Sequence, residues 1–428
     1  MTRSMTTDSV HTPRRRQAAT QQLGLFDDIA ELNLREQVLA LLTDQGFRIS
    51  ETGLALPEVV DKEVARRLHA RYRLENLRRA QRLFRGRERV LLSHFADGSE
   101  VDVDKIKPVL VPVSSGAHSL LFRYACLYWS APVSQGVGRR MRFLVMDENN
   151  GKLMGIFGLA DPVHSLPARD SWIGWTRDAK RERLYHVLDA FVLGALPPYS
   201  QLLVGKLIAM VTTSNEVRSH FSDRYRRNFY QRELGVREPH LVLITTLSAL
   251  GRSSIYNRIK FRNRPLFLSV GFTEGYGYFH LGDFLFEQAK EFLRREGHPL
   301  MDKRSLDFRN VRNWRLRVLE TFLRRIGLSG RMICHGLKRE VFVVPLAYNT
   351  REFLCGHTDR PLYYDHPLEE LFAFFRERWL LPRAQRDKSY MTWRKENLCI
   401  AVQLEQCRRL MDGSENIRSV AGAPYVTA

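Results

Sequence analysis

The sequence predicts an α+β protein, a mixed and largely antiparallel sheet flanked by basic helical N- and C-terminal modules. Three observations carry that expectation. Residues 142–146 and 152–158 are apolar runs joined by Asp-Glu-Asn-Asn-Gly at 147–151, the turn chemistry of a β-hairpin. Residues 185–193 read as a strand that passes through the breaker Leu196-Pro197-Pro198-Tyr199 into a helix burying Leu203, Leu207, Met210 and Val211. Two arginine-rich stretches, 61–89 and 301–339, place apolar residues at helical spacing.

Composition fixes the frame. The chain has 428 residues, 44% hydrophobic, 11% aromatic and 27% charged, enough for two or three domains with real cores. No uncharged apolar stretch approaches the roughly 20 residues that cross a bilayer. Residues 1–20 carry Arg14, Arg15 and Arg16 with no apolar run behind them, so a secretory signal is not expected and a cytoplasmic location is. Five cysteines without a C-x-x-C motif argue against a disulfide framework. Cys334-His335 and Cys355-x-His357 lack zinc-ligand spacing, so no metal is assigned.

In chain order, residues 1–24 read as a disordered basic arm and 25–98 as a helical module, with a short helix at 32–42 and a long basic one closed by Gly86. Residues 99–297 form the central α+β domain. Its hairpin and strand-breaker-helix are followed by strands at 241–246, 266–272 and 276–281, with Ser200 as the helix N-cap. Residues 298–411 form a basic helical and mixed module with a strand at 341–347 and a helix at 369–379, and 412–428 read as a disordered tail.

The formal net charge is +20, and it is concentrated. Residues 61–89 hold 11 Lys/Arg against 4 Asp/Glu, and residues 301–339 hold 11 against 3. Arginines clustered on helix faces are the footprint of a phosphate-backbone binder, since the guanidinium offers two parallel donors to one phosphate. Arg71, Arg78, Arg79 and Arg82 in the first stretch, and Arg312, Arg315, Arg317 and Arg324 in the second, are the nucleic-acid candidates. DNA is the expected partner, with RNA the other substrate of the same chemistry. A merely solvated face is the alternative.

The order hairpin, strand, helix, strand, short helix and two strands resembles the acyltransferase fold of the GNAT superfamily over about 141–281. In that superfamily the helix after the fourth strand opens with Q/R-x-x-G-x-G/A, whose backbone N–H groups hold the pyrophosphate of acyl-coenzyme A. The matching stretch is Ser200-Gln201-Leu202-Leu203-Val204-Gly205-Lys206, with the first glycine one position late and the second absent. Gln201 and Lys206 are the anion-binding candidates that the resemblance implies, and acyl-coenzyme A is the cofactor, against a degenerate motif. Gly205-Lys206 is not a P-loop, because the upstream glycine and the following Ser/Thr are missing. Neither H-E-x-x-H nor G-x-S-x-G occurs.

The most distinctive run is Ser248-Ala249-Leu250-Gly251-Arg252-Ser253-Ser254-Ile255-Tyr256-Asn257-Arg258, followed by Gly271-Phe272-Thr273-Glu274-Gly275-Tyr276-Gly277-Tyr278-Phe279-His280. A strand ending in hydroxyls and running into a Gly-Arg-Ser-Ser turn favours an anion, with Gly251, Arg252, Ser253, Ser254 and Arg258 as its ligands. These runs, with residues 199–206 and Trp172-Ile173-Gly174-Trp175, resemble the DruA family of the Druantia anti-phage defence system over about 101–383. The resemblance implies a defence component that acts beside a helicase-like subunit, and brings no established catalytic mechanism. His280, Tyr256 and Glu274 are the catalytic candidates, as general bases or a proton-transfer hydroxyl. A packed histidine, a solvated Glu274 and Ser253/Ser254 acting only as helix caps are the bland alternatives. Asp161, Asp170 and Asp178-Ala179-Lys180 loosely mimic a nuclease metal site. Three readings stand at this point: a nucleic-acid-engaging defence subunit, a diverged group-transferase acting on nucleic acid or protein, and a non-catalytic adaptor for the helicase-like partner.

Overall fold

The computed structural model describes residues 32–56, 62–133, 138–226, 238–253, 255–301 and 314–411. They form two compact units, one from the described residues of Met1–Pro57 and His280–His335, the other from those of Glu58–Phe279 and Gly336–Ala428. Residues of the expected 25–98, 99–297 and 298–411 segments each contribute to both.

The larger unit is organised by a seven-stranded sheet of β1 (Pro108–Pro112), β2 (Arg140–Asp147), β3 (Lys152–Ala160), β4 (Val187–Ala195), β5 (Leu243–Leu247), β6 (Leu268–Phe272) and β7 (Glu340–Pro345). Their spatial order is β1-β2-β3-β4-β5-β7-β6, and every pairing is antiparallel except β4 with β5. The parallel pair needs a crossover, supplied by the helix Val204–Val211. The predicted hairpin is β2–β3, and its turn is anchored inward. Fully buried Asp147 accepts the Lys107 and Asn149 N–H groups at 3.0 and 3.2 Å through Oδ1, and the Tyr199 hydroxyl at 3.0 Å through Oδ2.

Both faces of the sheet are covered. One face packs Met141, Phe143, Met154, Phe157, Leu188 and Phe342 against Leu207, Met210 and Val211 of the crossover helix and against Leu371 and Phe375. On the other face, Leu144, Leu153, Ile156 and Val192 meet α1 (Lys62–Leu83), α2 (Gly116–Ala125) and the C-terminal helix Ile400–Met411. Each such buried aliphatic or aromatic side chain contributes about 1.5–3 kcal/mol. Farther along that face, Val187, Leu243 and Val343 pack under Ile173 and Phe353.

A β-bulge shapes the second face. Gly158 pairs with Val192 and Leu159 with Ala190, so Phe191 is the extra residue on β4. Its ring lies over Gly158, where a Cβ would fall 2.3 Å from the ring's Cζ. Gly158→Ala must therefore expel the Phe191 ring, a cost of about 1–3 kcal/mol. A melting temperature lowered by several degrees, with the 540 Å³ groove described below distorted in the same variant, is the expected result in a thermal melt and a binding titration. An unchanged melting temperature would show that the ring has no fixed seat.

The smaller unit joins the helix at 32–44, the hairpin Arg48–Ser50/Gly53–Ala55, and the helices Gly282–Arg295 and Trp314–Arg325. Its core includes Val38, Leu42, Phe47, Leu285, Ala289, Leu293, Val318, Leu319 and Phe322.

Three local expectations are corrected. Residues 276–281 form no strand but a turn leading into the helix Gly282–Arg295, because Gly275 holds φ +80° and approaches the Gly336 backbone so closely that a Cβ would fall 2.7–2.9 Å from it. Ser200 does not cap the crossover helix. It sits inside the 3₁₀ turn Tyr199–Leu202, and the N-cap is Leu203 in the left-handed region at φ 62°. The helix expected at 369–379 ends at Phe375 and passes through a π-helical turn, Arg376–Leu380. The expected arm 1–24 and tail 412–428 lie outside the described residues, and among the described residues no helix is long and apolar enough to cross a membrane.

Candidate nucleic-acid interface

A groove of about 540 Å³ opens in the larger unit between α1 and the segment from α2 to β2. Tyr72, Arg73, Asn76, Arg79 and Leu83 line one wall; Phe122, Arg123, Cys126, Trp129 and Ser130 line the other; Arg140, Arg142 and Phe191 of the sheet complete it. Among the described residues, five arginines and no carboxylate line it.

Local structure explains how those side chains arrive. Ser115 caps α2 by accepting the His118 N–H, which presents Arg123 in the last turn and buries Phe122. Strand alternation on β2 sends Arg140 and Arg142 to the groove, while Arg139 turns the other way to bind Asp161 and the Tyr185 carbonyl at 2.6 and 2.8 Å. The Arg140 guanidinium lies 4.4 Å from the Phe191 ring centre and that of Arg142 5.8 Å from Phe122, so an aromatic face packs against each cation. Burial, and then the like charge of Arg142, push the Arg140 pKa downward. Deeper in, Arg73 donates to Gln403 Oε1 at 2.9 Å.

Trp129 and Ser130 are each 6% exposed, and Trp129 Nε1 and Ser130 Oγ have no hydrogen-bond partner among the described residues. A buried polar atom without a partner costs about 1–3 kcal/mol, which an incoming acceptor recovers. The Cys126 thiol, pushed up to about 12 by burial, stays protonated beside the arginines and is no nucleophile at neutral pH. Chemically, such a lining can accept an anion with acceptor oxygens.

Of the arginines expected on α1, Arg79 lines the groove and Arg71 is half-buried; Arg78 and Arg82 are exposed and, with Arg71, form no ion pair among the described residues. The second basic stretch is more neutralised. Arg315 binds Asp283 and Arg324 binds Glu320, whereas Arg317 is exposed and Arg312 lies outside the described residues. Arg123, Arg140, Arg142, Trp129 and Ser130 were not singled out from the sequence. The available signal was Arg140-x-Arg142, two arginines at strand period on the leading strand of the hairpin.

The Gly-Arg-Ser-Ser turn already encloses an anion of its own, the buried carboxylate of Glu340. Glu340 accepts the Ser253 N–H at 2.9 Å, the Ser269 hydroxyl at 2.7 Å and, at 3.4 Å, the Asn257 amide. Ser253 Oγ caps Ile255 and Tyr256 N–H at 3.2 and 3.1 Å, Gly251 accepts the Glu340 N–H at 3.1 Å, and Ser254 lies outside the described residues. Arg252 and Arg258 remain exposed. Gln201 is buried, and Lys206 is 8% exposed.

The catalytic candidates are not brought together. Tyr256 is 1% exposed and stacks on Phe267 at 4.7 Å, and burial raises its hydroxyl pKa. His280, 1% exposed, packs between Phe47 and His335 with Nε2 2.7 Å from the Met332 carbonyl, and burial pushes its pKa down to about 4. A closed, neutral imidazole of this kind cannot serve as the near-neutral base expected of it. Glu274 is exposed. Of the nuclease-like acids, Asp170 binds Lys180 at 2.6 Å and Arg169 at 2.7 Å, and Asp161 binds Arg139.

Comparison with known proteins now decides the family. The model of the family described as Druantia protein DruA matches residues 60–356, a span that contains every residue lining the groove. The chain belongs to the DruA family. The curated Druantia protein DruA of Escherichia coli (strain UMEA 4076-1) is 39% identical over 373 residues, covering 87% of this chain and 92% of that protein. As a member of the DruA family the chain is a component of Druantia anti-phage defence. No solved structure matches it.

Proposed function

We propose that this DruA-family chain is the nucleic-acid-engaging subunit of its defence system, acting beside a helicase-like subunit and holding a phosphate backbone in the arginine-lined groove. One observation carries the reading: five arginines, two with guanidiniums seated against aromatic rings, share a recess with two buried donors that have no partner among the described residues, and no described carboxylate lines it. Phosphate oxygens are acceptors suited to guanidinium, indole and hydroxyl donors alike. The exposed Arg78 and Arg82 on α1 extend the positive field beyond the groove and steer a polyanion towards it.

Fluorescence anisotropy on single-stranded, duplex and forked DNA and on RNA, titrated with salt, tests it. About three to five phosphate contacts give a log-log salt slope of about −2 to −4. Binding that is absent on every substrate, or indifferent to salt, would refute the reading and leave an adaptor role. The GNAT-like reading of the scaffold is supported by one feature, a single parallel strand pair joined through a helix amid antiparallel strands.

A further inference from the structure

We infer that the arginine groove takes an unpaired single strand, with one base of that strand entering the recess between α1 and the segment after α2. The inference rests on the nucleic-acid reading and adds what that reading leaves open, the form of the polymer. It starts from how the lining is sorted by depth. Arg79 and Arg123 are exposed and so stand at the mouth, whereas Trp129 and Ser130 are buried. The walls are otherwise largely apolar, with Leu77, Ala80 and Leu83 on α1 and Leu127, Ala131 and Val133 after α2. A phosphate gains nothing from an apolar wall, and losing its water against one is costly. A base is uncharged and has flat apolar faces, so it gains by leaving water for such a wall.

The recess also offers faces on which a base can lie. Phe122 and Phe191 are 6.4 Å apart, ring centre to ring centre, and the Arg142 and Arg140 guanidiniums pack against them. Aromatic rings and guanidinium planes are the surfaces on which unstacked bases settle. The edge of the base then meets the buried donors. Trp129 Nε1 and Ser130 Oγ, without a partner among the described residues, are neutral, and the ring nitrogens and carbonyl oxygens of a base are neutral acceptors. Phosphates flanking the inserted base are left at the mouth, within the field of Arg79 and Arg123. A recess of about 540 Å³ has the size of a small-ligand pocket and cannot admit a duplex. A duplex would have to unstack and unpair a base before entering, at a cost that a single strand does not bear.

Anisotropy of the full chain is measured on three labelled probes of one length: an oligothymidylate strand, the same backbone carrying abasic sugars throughout, and the oligothymidylate paired in a duplex. The first two carry equal charge, so their difference reports the bases alone. Oligothymidylate is expected to bind about ten-fold or more tightly than either of the others. Trp129→Phe keeps a ring and removes the indole donor, and Ser130→Ala removes the hydroxyl. Neither atom has a partner to lose among the described residues, so the melting temperature of the double variant should hold. Its preference for the base-bearing strand should fall by about three-fold or more while abasic binding stays unchanged. An abasic strand or a duplex bound as tightly as oligothymidylate overturns the inference and leaves the phosphate reading standing. A preference that survives the double variant undiminished also overturns it, because the base then lies elsewhere. Binding to none of the three probes overturns the nucleic-acid reading and the inference together.

Discussion

Reversing one charge at the centre of the groove, Arg140→Glu, should reduce nucleic-acid affinity by about 100-fold or more while leaving the fold intact. A charge-assisted hydrogen bond to phosphate contributes about 1.5–3 kcal/mol, and each 1.4 kcal/mol is a factor of ten in affinity. Reversal removes that contact and adds repulsion in a recess whose charged lining is otherwise arginine. The same substitution turns the repulsion from Arg142 into attraction and the attraction of Asp161 into repulsion, so the two changes offset and stability should change little. Loss of binding with an unchanged melting temperature is therefore diagnostic of a contact rather than of unfolding. Arg78→Glu, on the exposed face outside the groove, should cost no more than about ten-fold and act through the salt-dependent approach. Equal losses for the two variants would show a diffuse positive field and no groove.

Much of the architecture was legible because its signals are local. The Asp147–Gly151 turn, the alternation of β2 and the proline breaker before the crossover helix each lie within about ten residues, where turn chemistry and periodicity operate. The misread segments show where locality ends. Tyr276 to Leu281 has strand-like residues, but the approach of Gly275 to Gly336, 61 positions away, decides its path. His280, expected as a general base, is sealed by rings that its local sequence does not contain: Phe47 and His335 come from distant segments and pack against it. The Gly-Arg-Ser-Ser turn was read as a cradle for an anion, and it does hold one, but Glu340 lies 87 residues from Ser253 and no local pattern announces it. The groove was hidden for the same reason. Its arginines come from α1, α2 and β2 and meet only after the sheet has ordered them.

Acid should destabilise the larger unit steadily as pH falls from about 6.5 towards 4, and the cause is two buried histidines. His366 sits with Nε2 2.8 Å from Arg264 Nη2 and Nδ1 3.0 Å from the Thr213 hydroxyl. An arginine can only donate, so Nε2 must keep its lone pair and the ring is neutral. Burial, then the Arg264 and Arg218 charges, push its pKa down to about 4, and burial pushes that of His186 to about 3. Both lie below the unfolded value of about 6.5. The unfolded chain therefore takes up protons that the folded one refuses as pH falls through 6.5, and the stability these rings contribute, full above pH 6.5, drains towards pH 4. Asp189 acts in the opposite sense. Burial raises it to about 6, so its ionisation costs stability as pH rises from about 4 to 6 and returns it on acidification. At about 1.4 kcal/mol per pKa unit, the two histidines lose roughly 7 kcal/mol near pH 4 and Asp189 returns about 3, a net loss comparable with the whole stability of an ordinary domain. His366→Gln isolates the effect, since a glutamine carbonyl accepts from Arg264 without titrating. Its acid-unfolding midpoint, followed by circular dichroism, should fall by about half to one pH unit while stability at pH 7.5 changes little. An unchanged midpoint would mean that His366 protonates freely in the folded chain, which the Arg264 contact forbids.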